Sequence, residues 1–220
     1  MAREICLTFD NGPEPDATPG VLDVLGRRRI PATFYAIGDK LRDPARRALA
    51  ERARAEGHAV GNHTLTHGTP LGRRGGAEAV REIAEADALL GDLAGRARLF
   101  RPNGGGGTLG PHLLNRSAAA HLIAGGHTVV LWNAIPRDWD DPNGWPDRAL
   151  AQADRAAEAP VLMVLHDLPT GAMRHLDRVL GALLDRGARF VAEPPGACVP
   201  IRAGRPTPRL DAYVSENPAP

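Results

Sequence analysis

Short apolar and β-branched runs alternate along the chain with longer stretches whose apolar positions recur every three or four residues. The short runs, at 5–9, 33–37, 58–61, 98–100, 128–132, 161–166 and 189–192, predict strands. The longer stretches are rich in Ala, Leu, Arg and Glu, and predict helices most clearly over 41–56, 77–93, 111–124, 146–158 and 172–186. Gly57, Gly126 and Gly187 sit where a helical stretch gives way to a strand, the position at which a left-handed cap suits glycine.

Strand followed by helix, repeated about seven times, implies parallel strands joined by right-handed crossovers. That number of units favours an α/β fold closed into a distorted (β/α) barrel of about seven parallel strands, with an open doubly wound sheet as the alternative that periodicity does not exclude. From Pro194 the chain becomes rich in Pro, Gly and Arg. Such a stretch cannot bury enough apolar surface to order itself, so the expectation is one domain over 1–193 and a draped or mobile tail over 194–220.

Composition narrows the function. With 220 residues, 43% of them hydrophobic, the chain can build a single substantial core. Its 27 Lys and Arg nearly balance 26 Asp and Glu, which leaves no strong field to recruit nucleic acid or an anionic membrane. The first residues run directly into a strand with no apolar leader, from which a cytoplasmic protein is expected. Cys6 and Cys198 have neither a disulfide framework nor metal-ligand spacing, and read as reduced and structural.

In a parallel α/β barrel, reactive groups gather where strands end and loops begin. Here those ends carry Asp10-Asn11-Gly12-Pro13, then His63 to His67, then Arg101-Pro102-Asn103, then Asp138-Trp139, and finally Leu165-His166-Asp167. His63 and His67 are four apart, so a helical turn would put both imidazoles on one face, able to share a metal. Each residue also has an ordinary reading: Asp10 as a turn or cap, Arg101 as a surface ion pair, His166 as a core histidine, Trp139 as packing. Those readings would all have to hold by coincidence at the ends of different strands, whereas hydrolysis at a metal needs a base, an acid and an oxyanion donor together. The glycine run at 104–107 is followed by no Lys-Ser/Thr and matches no phosphate-binding fingerprint.

These segments, in this order, resemble the five motifs of the polysaccharide deacetylase family, also called the NodB homology domain or carbohydrate esterase family four. Thr8 to Pro13 resembles the first motif, Gly57-His58 with Gly61 to His67 the second, and Phe100-Arg101-Pro102 the third. The segment from Trp132 to Trp139 resembles the fourth and Leu165-His166-Asp167 the fifth, so the likeness spans roughly Arg3 to Val191. The resemblance implies a divalent metal, usually zinc, and hydrolysis of an N-acetyl or O-acetyl group on a sugar. It implies Asp10 as general base and His166 as general acid, with Asn11, His63 and His67 at the metal-binding positions. Arg101 would hold the base, Asp138 would tune His166, and Trp139 with Leu165 would wall the acyl pocket. A backbone N–H near Asn103 or Gly104 would face the oxyanion.

Two positions depart from the family pattern. The first motif usually carries two adjacent aspartates, and the second of these, a metal ligand, is Asn11 here. An amide oxygen coordinates a divalent cation less strongly than a carboxylate, so metal affinity is expected to fall. The third motif normally continues into an aromatic after its proline, where this chain has Asn103 and then glycines. The expected substrate is therefore an N-acetylated sugar, with two alternatives: a small amide or ureide cleaved without metal, or a carbohydrate bound without turnover.

Overall fold

The segment Arg3–Asp10 (β1) reads Arg-Glu-Ile-Cys-Leu-Thr-Phe-Asp and is buried along nearly its whole length. A strand apolar on both faces belongs inside a sheet covered on both sides. In the computed structural model, which describes residues 3–157 and 159–216, β1 runs parallel to Ala32–Ala36 (β2) on one side and to Val161–His166 (β7) on the other. From β2 the sheet continues in parallel through Ala59–Asn62 (β3), Leu99–Phe100 (β4) and Thr128–Val129 (β6), while Ala188–Phe190 (β8) pairs in parallel with the start of β1. All seven predicted strands are present, and all seven are parallel.

Closure comes from the chain that follows β6. Val130 N–H donates to Phe100 O, so this segment begins beside β4; Ala134 N–H then donates to Leu162 O and Ala134 bridges Met163 of β7. One extended segment thus leads from β4 across to β7 at the far margin of the curled sheet and makes it a distorted barrel.

The outer layer is Thr18–Arg28 (α1), Pro44–Ala55 (α2), Gly76–Leu90 (α3), Arg116–Ala124 (α4), Trp145–Asp154 (α5) and Leu176–Asp185 (α6). Each predicted helix is found, shortened at its start or end by a specific device. Residues 38–42 form a 3-10 turn, and Asp43 caps α2 by accepting from Ala45 N–H at 2.9 Å. Asn115 caps α4 in the same way through Ala118 N–H at 2.8 Å, so the predicted 111–124 helix starts five residues late and Leu114–Asn115 (β5) is left extended. The last residue of the predicted 146–158 helix, Glu158, lies outside the described residues. Helix α1 has no clear mark in the sequence, because Gly20 and Gly26 dilute the helical signal that Val21, Leu22 and Leu25 carry. Gly57, Gly126 and Gly187 have φ of 92°, 69° and 79°, the left-handed conformation expected of them.

Strand pleating sorts the interior. Ile5, Leu7 and Phe9 of β1 join Met163 and Leu165 of β7 in one apolar cluster, with residues of α1, α2, α5 and α6. Cys6, Leu162 and Val164 belong to a second cluster with Tyr35, Phe100, Trp132 and residues of α3 and α4. Both cysteines are free and buried, and burial pushes their thiols up to about 12 for Cys6 and about 11 for Cys198.

The Pro/Gly-rich stretch after Pro194, expected to drape or move, is built into the fold as far as Ser215. Ile201–Arg202 (β9) pairs antiparallel with β6, Arg205–Pro206 (β10) pairs antiparallel with β9, and Val214–Ser215 (β11) pairs in parallel with β5. Val199 and Ile201 are buried. Composition describes what a segment does alone; this one takes its order from the sheet edge it covers. Among the described residues no helix is long and apolar enough to cross a membrane.

Candidate active site

Asp10 closes β1 and His166 closes β7, and the two are register partners in neighbouring parallel strands. Partners in register point to the same side of a sheet, so both side chains face one cleft. Asp10 lies on the strand face opposite Ile5, Leu7 and Phe9, together with Thr8. Its companion is Arg101, which follows β4 and is 0% exposed. One guanidinium nitrogen of Arg101 donates to Asp10 Oδ1 and to Thr8 Oγ1, both at 2.7 Å, while Nε donates to Val130 O at 3.1 Å. The guanidinium also lies 4.1 Å over the Tyr35 ring. The predicted surface alternative for Arg101 is thereby excluded.

Burial alone would raise the Asp10 carboxyl. The Arg101 guanidinium, aided by His63 and His166, outweighs that cost and holds Asp10 below the usual carboxylate range. At His166 burial works against the cation, but the hydrogen bond and charge of Asp138, with Asp10 adding to them, raise it above the ordinary histidine value. Asp138 is fully buried and grips His166 twice: Oδ1 lies 3.0 Å from Nδ1, and Oδ2 accepts the His166 backbone N–H at 2.8 Å. Trp139 packs edge-on against the His166 ring with centroids 4.5 Å apart. A carboxylate shifted toward its ionised form faces an imidazole shifted toward its cation.

His63 and His67 come together by a route other than the one expected. Residues 63–67 form an irregular loop, with Thr64 at φ 67° and His67 at φ 54°, so the helical turn proposed from the i, i+4 spacing is absent. The rings nevertheless approach to 4.8 Å between centroids. His63 Nδ1 is 2.8 Å from Arg101 O, and a carbonyl can only accept, which puts the proton on Nδ1 and leaves the Nε2 lone pair free. Burial pushes His63 down to about 3 and lowers His67 as well, so both rings are neutral near pH 7. Asn11, at φ 73°, keeps a buried Oδ1 with no hydrogen-bond partner. Two neutral imidazoles and an unpartnered amide oxygen are donors that fit a divalent cation of borderline softness. Among the described residues no group of three or more His, Cys, Asp or Glu side chains is placed for that purpose; the set depends on an amide.

The cleft holds about 210 Å³, with Asp10, Asn11, His63 and His67 on one side. Trp132, Ile135, Trp139, Val164 and Leu168 give it an apolar wall beside His166. The backbone of residues 104–107 forms the remaining edge. Gly105, Gly106 and Gly107 all have positive φ, and Trp132 Nε1 donates to Gly107 O at 2.9 Å. A Cβ on Gly104 would come within 2.7 Å of the Trp132 ring. The glycine run is what lets the chain lie flat against that indole.

Two of the residues expected at the pocket are elsewhere. Leu165 points into the cluster between the sheet and the outer helices, because the pleat sends it opposite to His166; Val164, two before His166, lines the cleft with Leu168. Asn103 is buried beneath the glycine loop and ties down Gly68 O through Nδ2 at 2.6 Å, and it is Gly104 that reaches the cleft. Thr8 and Tyr35, which support Arg101, and Ile135 in the apolar wall were not singled out from the sequence. Strand parity offered the signal for Thr8 and Val164; nothing local marked Ile135.

Residues 1–122 match the family model described as polysaccharide deacetylase, slightly more than half of the chain. The chain belongs to the polysaccharide deacetylase family. Its deacetylases are hydrolases of carbon–nitrogen bonds other than peptide bonds, and the family is generally metal-dependent. A chitooligosaccharide deacetylase of Sinorhizobium fredii is 35% identical over 200 residues, covering 84% of this chain and 88% of its own length. A peptidoglycan-N-acetylglucosamine deacetylase of Bacillus cereus is 30% identical over 193 residues, covering 85% of this chain and 84% of its own. Among solved structures, the peptidoglycan deacetylase PdaC of Bacillus subtilis superimposes with a TM-score of 0.68 at 29% identity, over 86% of this chain and 87% of that one. The first of these relatives is named for a chitooligosaccharide and the second for peptidoglycan N-acetylglucosamine.

Proposed function

We propose that this protein removes the N-acetyl group from N-acetylglucosamine units of a glycan or oligosaccharide. The observation that carries the reading is the facing pair: Asp10 bonded to Arg101, which favours its ionised form, and His166 bonded to Asp138, which favours its cation, at register positions on adjacent strands. Plain carbohydrate binding has no use for a base and an acid tuned in opposite directions across a single cleft. The cleft's size suits an acetamido group with one sugar ring, and the remainder of a longer substrate would lie outside it.

In the proposed reaction, Asp10 takes a proton from a water whose oxygen forms a bond to the acetyl carbonyl carbon. The oxyanion so formed faces the backbone at Gly104. The carbon–nitrogen bond then breaks as His166 delivers its proton to the sugar nitrogen, releasing acetate and a free amine. Arg101 keeps Asp10 aimed and ionised; Asp138 fixes the His166 tautomer and favours its cation; Trp139 shields that imidazole and, with Val164 and Leu168, receives the acetyl methyl. A divalent cation, for which we propose zinc, would be held by Asn11, His63 and His67 and would supply Lewis acidity to the carbonyl and the attacking water.

Asn11 favours one rival reading, amide hydrolysis without metal. Chelation distinguishes the two: on the metal-dependent reading, acetate release stops after prolonged chelator treatment and returns with added zinc, whereas undiminished release after chelation supports the rival. Asn11→Asp is expected to tighten zinc binding at least tenfold, in line with the stronger ligand field of a carboxylate, measured by competition with a chelating dye. An unchanged zinc affinity would mean that position 11 does not face the cation.

The pH profile gives a separate check on the acid. Because Asp138 raises His166, activity should fall as pH rises through a His166 value above the ordinary histidine one. In Asp138→Asn the burial that lowers His166 is no longer opposed by that charge, so the alkaline limb should move to lower pH. An alkaline limb at the same pH in both proteins would assign that limb to another group.

A further inference from the structure

The loop that carries His63 and His67 has no regular structure of its own, and it bends through two residues in the left-handed region. Its restraint comes from α3. Glu82, 3% exposed, turns its carboxylate onto the loop: Oε2 accepts the N–H of Leu65 at 3.1 Å and of Thr66 at 3.0 Å, and Oε1 accepts the Thr66 hydroxyl at 2.8 Å. On the opposite side, Thr64 O accepts Gly38 N–H and Leu65 O accepts Asp39 N–H, each at 2.9 Å. The peptide joining residues 64 and 65, and the one joining 65 and 66, are therefore each gripped at both their N–H and their carbonyl.

The ends of the loop are fastened by α3 and by Arg74, which precedes it. Arg74, 3.5 Å from Glu82, donates to Thr69 O at 2.7 Å, just beyond His67. Asp87 of α3 accepts from Asn62 Nδ2 at 2.7 Å, and Asn62 Oδ1 accepts Thr64 N–H at 2.8 Å. Two gripped peptides in succession leave little freedom in the direction of the Cα–Cβ bonds on either side, which belong to the two histidines' neighbours and, through them, to the histidines.

We propose that Glu82 is a positioning residue for the cation site: its carboxylate fixes the two central peptides of the loop so that His63 and His67 present their rings to one shared cation. The inference rests on the metal-dependent reading given above. A purely structural Glu82 would satisfy buried N–H groups and contribute to stability, yet leave cation affinity in the folded protein unchanged. A Glu82 that sets ligand geometry moves affinity as well, since groups that orient metal ligands typically alter it by about 10–100-fold when removed.

The test uses the full chain, stripped of metal, as wild type, Glu82→Leu and Glu82→Gln. Zinc affinity is read by competition with a chelating dye, cobalt(II) coordination by its visible absorption, and folding by circular dichroism and the metal-free melting temperature. Glu82→Leu should remain folded with zinc affinity lowered by about 10–100-fold and an altered cobalt spectrum. Glu82→Gln, which keeps one acceptor oxygen, should fall between it and wild type. Should Glu82→Leu not fold, Glu82→Gln decides on the same two readouts. A lower melting temperature with zinc affinity and cobalt spectrum unchanged overturns the positioning role and leaves the metal-dependent reading intact. Wild-type protein that binds no zinc removes that reading and this inference with it.

Discussion

Arg101→Met is expected to cost about 3–5 kcal/mol of folding stability, the range found when one partner of a buried ion pair is removed. Arg101 and Asp10 are 0% and 4% exposed, so Asp10 would be left as a largely buried charge without its ion-pair partner. Thr8 Oγ1, Val130 O and Leu131 O would lose their donor as well. With the guanidinium gone, burial becomes the dominant influence on Asp10 and its pKa should rise, so turnover should fall even in the fraction that folds. Chemical denaturation gives the first quantity, and the pH dependence of kcat/KM gives the second, as an acidic limb displaced to higher pH. A second substitution, Asp10→Asn in the Arg101→Met background, should recover part of the stability and none of the activity, because it removes the stranded charge without restoring a base.

Asp10→Asn alone is expected to lower kcat/KM by about 10²–10⁴-fold, the usual worth of a positioned general base. The amide keeps the side chain's shape and can still accept from Arg101, so the fold should survive better than in Asp10→Ala, which would empty a space facing a buried cation. If Asp10 is the base, kcat should fall with kcat/KM while substrate binding changes little, since the proton transfer belongs to the transition state. A variant with near-normal kcat would assign the base role to another group.

The fold was legible wherever the signal was local. Alternating apolar periodicity, β-branched runs and glycines at helix ends pointed to seven strands and five of the six helices. What the pattern did not convey came from partners distant in sequence. α1 is weakened by its own glycines and is held by packing; the stretch after Pro194 looks unable to fold and gains its order from β6 and β5. The site divided along the same line. Asp10, His63, Arg101 and His166 stand at or just beyond strand ends, where barrel geometry makes them candidates, and Asp138 lies in the segment that follows β6. Leu165 did not reach the cleft because a pleat reverses direction at each residue, a rule that favoured Val164. The His63–His67 spacing suggested a helix, but the loop that actually joins them depends on Glu82, Asp87 and Arg74, none of which carries a local mark of that role.

Asn11, at the proposed cation site, has its side-chain oxygen buried without a partner. That orphaned acceptor is costly unless something occupies the cleft beside it. Its neighbours His63 and His67, both neutral, add no charge to oppose a cation.

The most direct test of the central claim is acetate release from N-acetylglucosamine oligomers by the purified protein supplied with zinc, run beside Asp10→Asn and His166→Ala. The account predicts release by the wild type, with free amine appearing in equal amount, and a fall of at least about 100-fold in each variant. Absence of release by the wild type across such oligomers, or release by both variants at the wild-type rate, would contradict it.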